Sequence, residues 1–143
     1  MRGPSIADRI LDANLNRLSE GLRVIEDLCR FGLDDAALAG ELKRLRHAAG
    51  ELRRALPPET LLSRDSLGDV GRLRVREPVR RADLSAVLGA AFGRVQEALR
   101  ALEEIAKLVR PQAAANAKIL RYQIYDLERR VAPLFDRRRR IER

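Results

Sequence analysis

The residues best suited to chemistry lie in a short segment in the middle of the chain. Arg64, Asp65, Gly68, Asp69 and Gly71 fall within eight residues of one another. Carboxylates bind Mg²⁺ together with phosphate oxygens, and glycines let backbone N–H groups approach an anion closely. Asp65 and Asp69 are therefore candidate metal ligands and Arg64 is a candidate phosphate ligand, although a plain turn can have the same composition. The segment is not a Walker A motif, because the chain contains no Gly-x-x-x-x-Gly-Lys-Ser/Thr.

An internal repeat supplies a second set of candidates. Residues 13–27 align without gaps on residues 90–104. Arginine and glutamate alternate at every third position of both copies, so that Arg17, Glu20, Arg23 and Glu26 correspond to Arg94, Glu97, Arg100 and Glu103. Two copies of one helical unit should lie side by side about a pseudo-twofold axis, with a shared cleft on that axis.

A helical wheel separates two of these arginines from the other charged residues. At 100° per residue, Asn14 and Arg17 fall within the apolar arc of the first copy, and Arg94 falls within that of the second. A buried arginine is unfavourable unless carboxylates or phosphates surround it. Two interpretations stay open: an ion pair with a glutamate of the other copy, or binding of a substrate phosphate. The small residues Gly21 and Ala98 leave room for either.

Further candidates lie beyond the second copy of the repeat. Lys107 could neutralise a transferring phosphoryl group. Arg121 and Tyr125 share one helix face, as do Tyr122 and Asp126. In a chain with two tyrosines and three phenylalanines, this tyrosine pair favours a core anchor, with a stacking surface for a planar ring as the alternative.

Helices must position these candidates. Apolar residues at helical spacing predict four main helices, which cover about residues 5–31, 34–56, 84–109 and 111–133. Ser5, Asp34 and Asp83 are the predicted N-caps. Residues 64–81 lack helical periodicity and form a long loop, which in a compact domain is usually functional or disordered. We therefore expect an all-α fold: a four-helix bundle with duplicated helices one and three and a functional loop between helices two and three.

Composition fits one soluble helical domain. The chain has 143 residues, of which 45% are hydrophobic and 35% are charged, so it can bury a core. A single Cys and a single His exclude an internal disulfide and Cys-built or His-pair metal motifs; Cys29 is predicted to be a small buried hydrophobe. No apolar run approaches the roughly 18 residues of a membrane span, and no signal peptide is evident. We expect a cytoplasmic protein.

Residues 137–143 carry half of the net charge of +8, and the other half is spread over the rest of the chain. We expect a single domain over residues 1–136, followed by a basic tail over residues 137–143. The tail favours a solvated helix end. Nucleic-acid binding is the alternative, but no aromatic residues interleave with the tail to stack bases. A basic body also suits a small phosphorylated substrate.

In combination, these residues resemble a known family. The resemblance rests on residues 9–27, Leu45-Arg46-His47, Arg64-Asp65, Asp69-Val70-Gly71, residues 94–104 with Lys107, Leu120-Arg121-Tyr122 and Tyr125-Asp126. The chain is similar to the helical domain found ahead of thiamine-phosphate synthase in some bacteria, which also occurs free-standing. The chain looks like a member of the monofunctional hydroxymethylpyrimidine phosphate kinase family of thiamine biosynthesis, and the resemblance covers about residues 6–130.

The resemblance implies an activity and a set of ligands. The implied reaction is ATP-dependent phosphorylation of 4-amino-5-hydroxymethyl-2-methylpyrimidine phosphate to the diphosphate, with ATP and Mg²⁺ as cofactors. The candidate substrate- and phosphate-binding residues are Asn14, Arg17, Arg23, Arg64, Arg94, Arg100, Arg121 and Tyr122. The candidate catalytic residues are Glu20, Glu97 and Lys107, with the identity of the base left open, and the candidate metal ligands are Asp65 and Asp69. Where the family pattern has Asn and a larger residue, this sequence has Ala91 and Gly93.

Two other functions remain as alternatives to the kinase. One is a non-catalytic helical domain that docks or dimerises a thiamine-phosphate synthase. The other is a basic nucleic-acid-binding bundle, which the missing stacking residues disfavour. The expected partners are the phosphorylated pyrimidine and ATP, with a thiamine-phosphate synthase and a second copy of the chain as further possibilities.

Overall fold

The computed structural model describes the backbone of residues 5–73 and 80–141, and the side chains of residues 5–72 and 80–136. The helices are α1 (Ile6–Asp27), α2 (Ala36–Ala55), α3 (Glu59–Leu62), α4 (Leu84–Ala106) and α5 (Pro111–Ile141). A π-helical turn, Leu28–Gly32, follows α1, and a 3₁₀ turn, Val70–Leu73, lies in the long loop. The described part of the chain contains no β-strand, which confirms the all-α class. The side chains of the expected basic tail lie outside the described residues.

Side-chain caps begin three of the long helices. The Ser5 hydroxyl accepts a hydrogen bond from the Asp8 backbone N–H at 3.0 Å, as predicted for α1. The Asp83 carboxylate accepts one from the first turn of α4 at 2.8 Å. The predicted cap of α2 is wrong by one residue: Asp35 accepts the capping hydrogen bond at 2.9 Å, whereas Asp34 has a positive φ of 50° in the turn before the helix.

The last helix is longer than the sequence predicts. The expected end near Pro133 is wrong, because α5 continues through this residue to Ile141. Proline removes one backbone donor and normally kinks or ends a helix. Here Val131 and Phe135, on either side of Pro133, are buried in the core, and their packing holds the helix together across the proline.

The core face of α1 follows the predicted spacing. Leu11, Leu15, Leu18, Leu22 and Ile25 are at most 1% exposed. Full burial of each such side chain stabilises the fold by about 1.5–3 kcal/mol. They form one cluster with the core faces of the other long helices, and the buried Cys29 belongs to it as predicted.

The two duplicated helices, α1 and α4, pack against each other, as the repeat predicts. A Cβ atom placed on Gly21 would lie 2.5 Å from Val95 Cγ2 and 3.2 Å from the Ala91 carbonyl oxygen. Such distances are shorter than normal packing allows, so glycine is needed for this close approach. The expectation that Gly21 leaves open room beside an arginine is therefore wrong.

The duplication extends to the second helix of each half. Arg46 on α2 donates to Glu26 on α1 at 2.8 Å, and Arg121 on α5 donates to Glu103 on α4 at 2.9 Å. Both carboxylates are 8% exposed. Each half is therefore a helical hairpin closed by an equivalent arginine–glutamate pair.

Candidate functional site

A cleft of about 490 Å³ lies between the N-terminal half of α1 and the segment that follows α3. Five residues predicted from the sequence line it: Asn14, Arg17, Arg64, Asp65 and Asp69. They come from two parts of the chain that the fold brings together. The volume lies within the range of about 300–1,000 Å³ that is typical of small-molecule sites.

Arg64 is fixed to α1 by a buried carboxylate. Its Nε and Nη2 atoms each donate to the Asp12 carboxylate at 2.9 Å, and Nη2 also donates to Asn16 Oδ1 at 3.3 Å. Asp12 is 4% exposed. The hydrogen bonds to Asp12 raise the pKa of Arg64 above its ordinary value. Arg53 on α2 donates to Asn16 at 2.9 Å, which ties α2 into the same network.

Arg17 projects into the cleft and is exposed. Its Nη1 atom donates to Asn14 Oδ1 at 3.3 Å, while Asn14 Nδ2 donates to the Ile10 carbonyl oxygen at 2.9 Å. The wheel-based expectation of an arginine inside the apolar arc is wrong for Arg17, because this part of α1 faces the open cleft and not a neighbouring helix.

The equivalent arginine of the second copy is engaged in an ion pair. Arg94 on α4 donates to Glu20 on α1 through Nε and Nη2, at 3.1 and 3.0 Å. The ion-pair interpretation therefore holds for Arg94. Arg17 differs, since no carboxylate oxygen of the described residues lies within 4.0 Å of its guanidinium. At position 91, the counterpart of Asn14, alanine has no amide to orient an arginine.

Two aspartates lie on the loop side of the cleft. Asp65 Oδ1 accepts from the Gly68 backbone N–H at 2.9 Å, and Asp69 Oδ1 accepts from the Gly71 N–H at 2.8 Å. A Cβ atom on Gly68 would lie 2.2 Å from Asp65 Oδ2, so any larger residue here would have to displace the Asp65 carboxylate. In the part of the chain that the structure describes, no three His, Cys, Asp or Glu side chains form a metal cage. Two carboxylates can still fit Mg²⁺, because this ion commonly takes its other ligands from phosphates and water.

All the other predicted site residues lie away from this cleft. They are Glu20, Arg23, Arg94, Glu97, Arg100, Lys107, Arg121 and Tyr122, none of which lines it. Lys107 and Arg100 both donate to Glu104, at 3.1 and 2.9 Å. The hydrogen bond from Lys107, followed by that from Arg100, lowers the pKa of Glu104 below its ordinary value. The structure does not bring these two cations to the cleft.

The tyrosine pair of α5 is a surface feature. Tyr122 and Tyr125 are 54% and 41% exposed, so the prediction of a core anchor is wrong. The core side of α5 is taken by other residues, including Ile124 and Leu127, which are fully buried. Arg121 Cζ lies 5.1 Å and 5.7 Å from the two ring centroids, and the hydrogen bond with Tyr125 is the main cause that raises the pKa of Arg121.

Sequence reasoning missed several residues of the cleft, chiefly Arg9, Asp12 and Asn16. Asp12 and Asn16 lie one turn apart on the polar arc of α1, where a wheel of one helix predicts solvent exposure. Contacts with Arg53 and Arg64 cover that arc instead. The only sequence signal for Arg9 is its place in a row with Ala13 and Arg17, at i, i+4 and i+8.

No helix in the described ranges is both long enough and apolar enough to cross a membrane.

Comparison with known proteins finds one matching family profile and relatives that share one name. The ThiD2 family profile matches residues 9–130. The chain is similar to a thiamine-phosphate synthase of Nostoc punctiforme, with 52% identity over 121 residues that cover 84% of this chain and 34% of the relative. A thiamine-phosphate synthase of Thermosynechococcus vestitus is 47% identical over 145 residues, which cover 94% of this chain and 38% of the relative. The chain thus spans little more than a third of the length of these relatives, and no solved structure gives a significant match.

Proposed function

The chain belongs to the ThiD2 family, and we propose that it phosphorylates 4-amino-5-hydroxymethyl-2-methylpyrimidine phosphate with ATP in thiamine biosynthesis. The family and its relatives bear out the expected resemblance to a helical domain associated with thiamine-phosphate synthase. The kinase activity remains a prediction. One observation carries it: arginines and carboxylates from α1 and from the loop converge on one cleft of suitable size.

The proposed reaction transfers one phosphoryl group. An oxygen of the substrate phosphate attacks the γ-phosphorus of ATP and forms a new P–O bond. The bond from the γ-phosphorus to the bridging oxygen breaks, and ADP leaves with that electron pair. Because the second pKa of a phosphate monoester is about 6, the nucleophile is already anionic at neutral pH. The reaction needs no general base, so the position of Glu20 and Glu97 outside the cleft does not count against it.

The cleft would supply positive charge and would position the two substrates. These two effects dominate catalysis of phosphoryl transfer. Arg17, oriented by Asn14, would bind the substrate phosphate. Arg64, held by Asp12, would keep a second positive charge at the opposite wall. Asp65 and Asp69 each use Oδ1 for a loop hydrogen bond, and their Oδ2 atoms would hold Mg²⁺. When bound there, Mg²⁺ would neutralise charge on the phosphates.

A direct test measures formation of the diphosphate. The purified chain is mixed with Mg-ATP and the pyrimidine phosphate, and products are followed by ³¹P nuclear magnetic resonance. We expect diphosphate from the wild type and from Arg129→Ala, which removes an equal charge from an exposed position outside the cleft. Arg17→Ala should be at least about tenfold slower, since it removes a charge-assisted hydrogen bond. A helical, folded wild type that forms no diphosphate would refute the kinase proposal.

A second candidate function follows from the relatives. The chain corresponds to about a third of proteins named thiamine-phosphate synthase, which favours a helical domain that docks on such a synthase. The names of the relatives favour this candidate, whereas the cleft favours the kinase. Isothermal titration calorimetry of the chain against a synthase that lacks this domain separates them. Binding without any diphosphate formation supports docking alone. Sedimentation velocity of the chain by itself tests whether it forms a homodimer.

A further inference from the structure

Arg9 is a positively charged residue of the cleft to which the proposed reaction assigns no ligand. It lies on the first turns of α1, is exposed and lines the cleft. No carboxylate oxygen of the described residues lies within 4.0 Å of its guanidinium. Arg64, in contrast, is bonded to Asp12 at the same cleft. Arg9 therefore shares with Arg17 both its location and its lack of an anionic partner.

The two arginines stand at opposite ends of an apolar strip. They are eight residues apart on one helix, which separates their Cα atoms by about 12 Å along the axis and about 80° around it. Ile10 and Ala13 lie between them and also line the cleft. This spacing lets each guanidinium bind a separate phosphate group. Arginine side chains are long, so the two guanidinium groups can hold these phosphates next to each other over the strip.

The charge balance at the cleft is also suited to two anionic groups. Asp12 is matched by Arg64. Asp65 and Asp69 face the cleft from the loop and suit a cation better than an anion. One phosphate monoester can take both donors of one guanidinium fork, so a single phosphorylated pyrimidine at Arg17 would leave Arg9 unpaired.

We propose that Arg9 forms a second anion subsite, which binds the phosphates of a nucleoside di- or triphosphate while Arg17 binds the phosphate of the pyrimidine. The identity of the two ligands rests on the proposed function, whereas the existence of two subsites rests on the positions of the two arginines. The subsites lie in one cleft, as transfer between their ligands requires.

Calorimetric titration of the full chain with two probes tests this assignment. The probes are Mg-ADP and the pyrimidine phosphate, and the variants are Arg9→Ala, Arg17→Ala and the charge-matched control Arg129→Ala. We expect Arg9→Ala to bind Mg-ADP at least about tenfold more weakly and to bind the pyrimidine phosphate within about twofold of the wild type. Arg17→Ala should give the reverse pattern, and Arg129→Ala should change neither affinity by more than about twofold.

Any other result of these titrations shows whether the Arg9 subsite exists. Equal effects of Arg9→Ala and Arg129→Ala on Mg-ADP would overturn the subsite, and so would a wild type that does not bind Mg-ADP. Weakening of both probes by both cleft variants would mean a single anion site. If Mg-ADP binding depends on Arg9 while the pyrimidine phosphate does not bind at all, the subsite stands and the proposed substrate is wrong. Thermal unfolding of Arg9→Ala, expected within about 2 °C of the wild type for an exposed residue, excludes misfolding as the cause.

Discussion

Gly21→Ala should destabilise the protein, although alanine is the better helix former. The substitution gains up to about 1 kcal/mol of helix propensity. Against this, the new Cβ would meet Val95 Cγ2 at 2.5 Å and the Ala91 carbonyl oxygen at 3.2 Å. Valine is stiff at χ1 in a helix, so its methyl cannot move aside freely, and the carbonyl belongs to the α4 backbone. Overpacking of this kind costs about 1–3 kcal/mol.

With overpacking at the middle of this range, about 2 kcal/mol, we expect a net loss of about 1–2 kcal/mol, seen as a Tm roughly 3–8 °C lower for a domain of this size. Thermal unfolding by circular dichroism and urea titration both measure it. Gly93→Ala in the other duplicated helix is the matched control. No described atom lies within 4 Å of a Cβ placed there, so this variant should gain up to about 1 kcal/mol. If Gly21→Ala proves as stable as Gly93→Ala, the close approach of α1 and α4 is wrong.

Three further outcomes are expected. Asn14→Ala should weaken binding of the pyrimidine phosphate about two- to tenfold by releasing Arg17 from its hydrogen bond; unchanged affinity in calorimetry would remove the orienting role. Asp65→Asn should keep its turn, since an amide oxygen still accepts from the loop, and should raise the Mg²⁺ concentration for half-maximal activity at least about fivefold; an unchanged Mg²⁺ titration would exclude Asp65 as a ligand. Burial raises the pKa of the Cys29 thiol to about 11, so thiol reagents at pH 8 should react with it slowly until the protein is unfolded. Because the folded-state pKa is the higher one, this residue contributes stability below about pH 9 that is lost as the pH rises toward 11.

The fold is largely predictable from the sequence because local signals and packing agree over most of the chain. Apolar spacing identifies the four long helices, and the repeat places α1 against α4. Local signals fail at Asp34, which is as good a capping residue as its neighbour Asp35. They fail again at Pro133, where burial of the adjacent helix turns overrides the preference of proline to end a helix.

The site is only partly predictable, because a cleft depends on which surfaces the fold leaves open. The loop chemistry and Arg17 can be selected from residue type and repeat position, and they meet in the cleft. A helical wheel assigns Arg17 to the core, since it treats the whole apolar arc as covered. It assigns Asp12 to solvent, since it cannot include an arginine that is remote in sequence. Both errors arise from long-range contacts.

The same contacts explain why the two halves of the repeat differ. In the first half, Asp12 and Asn16 hold Arg64 and thereby place the loop over α1. Their counterparts in the second half are Gly89 and Gly93, which have no side chain to bind an equivalent arginine. The second copy therefore cannot build the same wall, even though its helices repeat the packing of the first. We infer that the first half carries the ligand site, while the second half supplies the helical surface against which α1 is positioned.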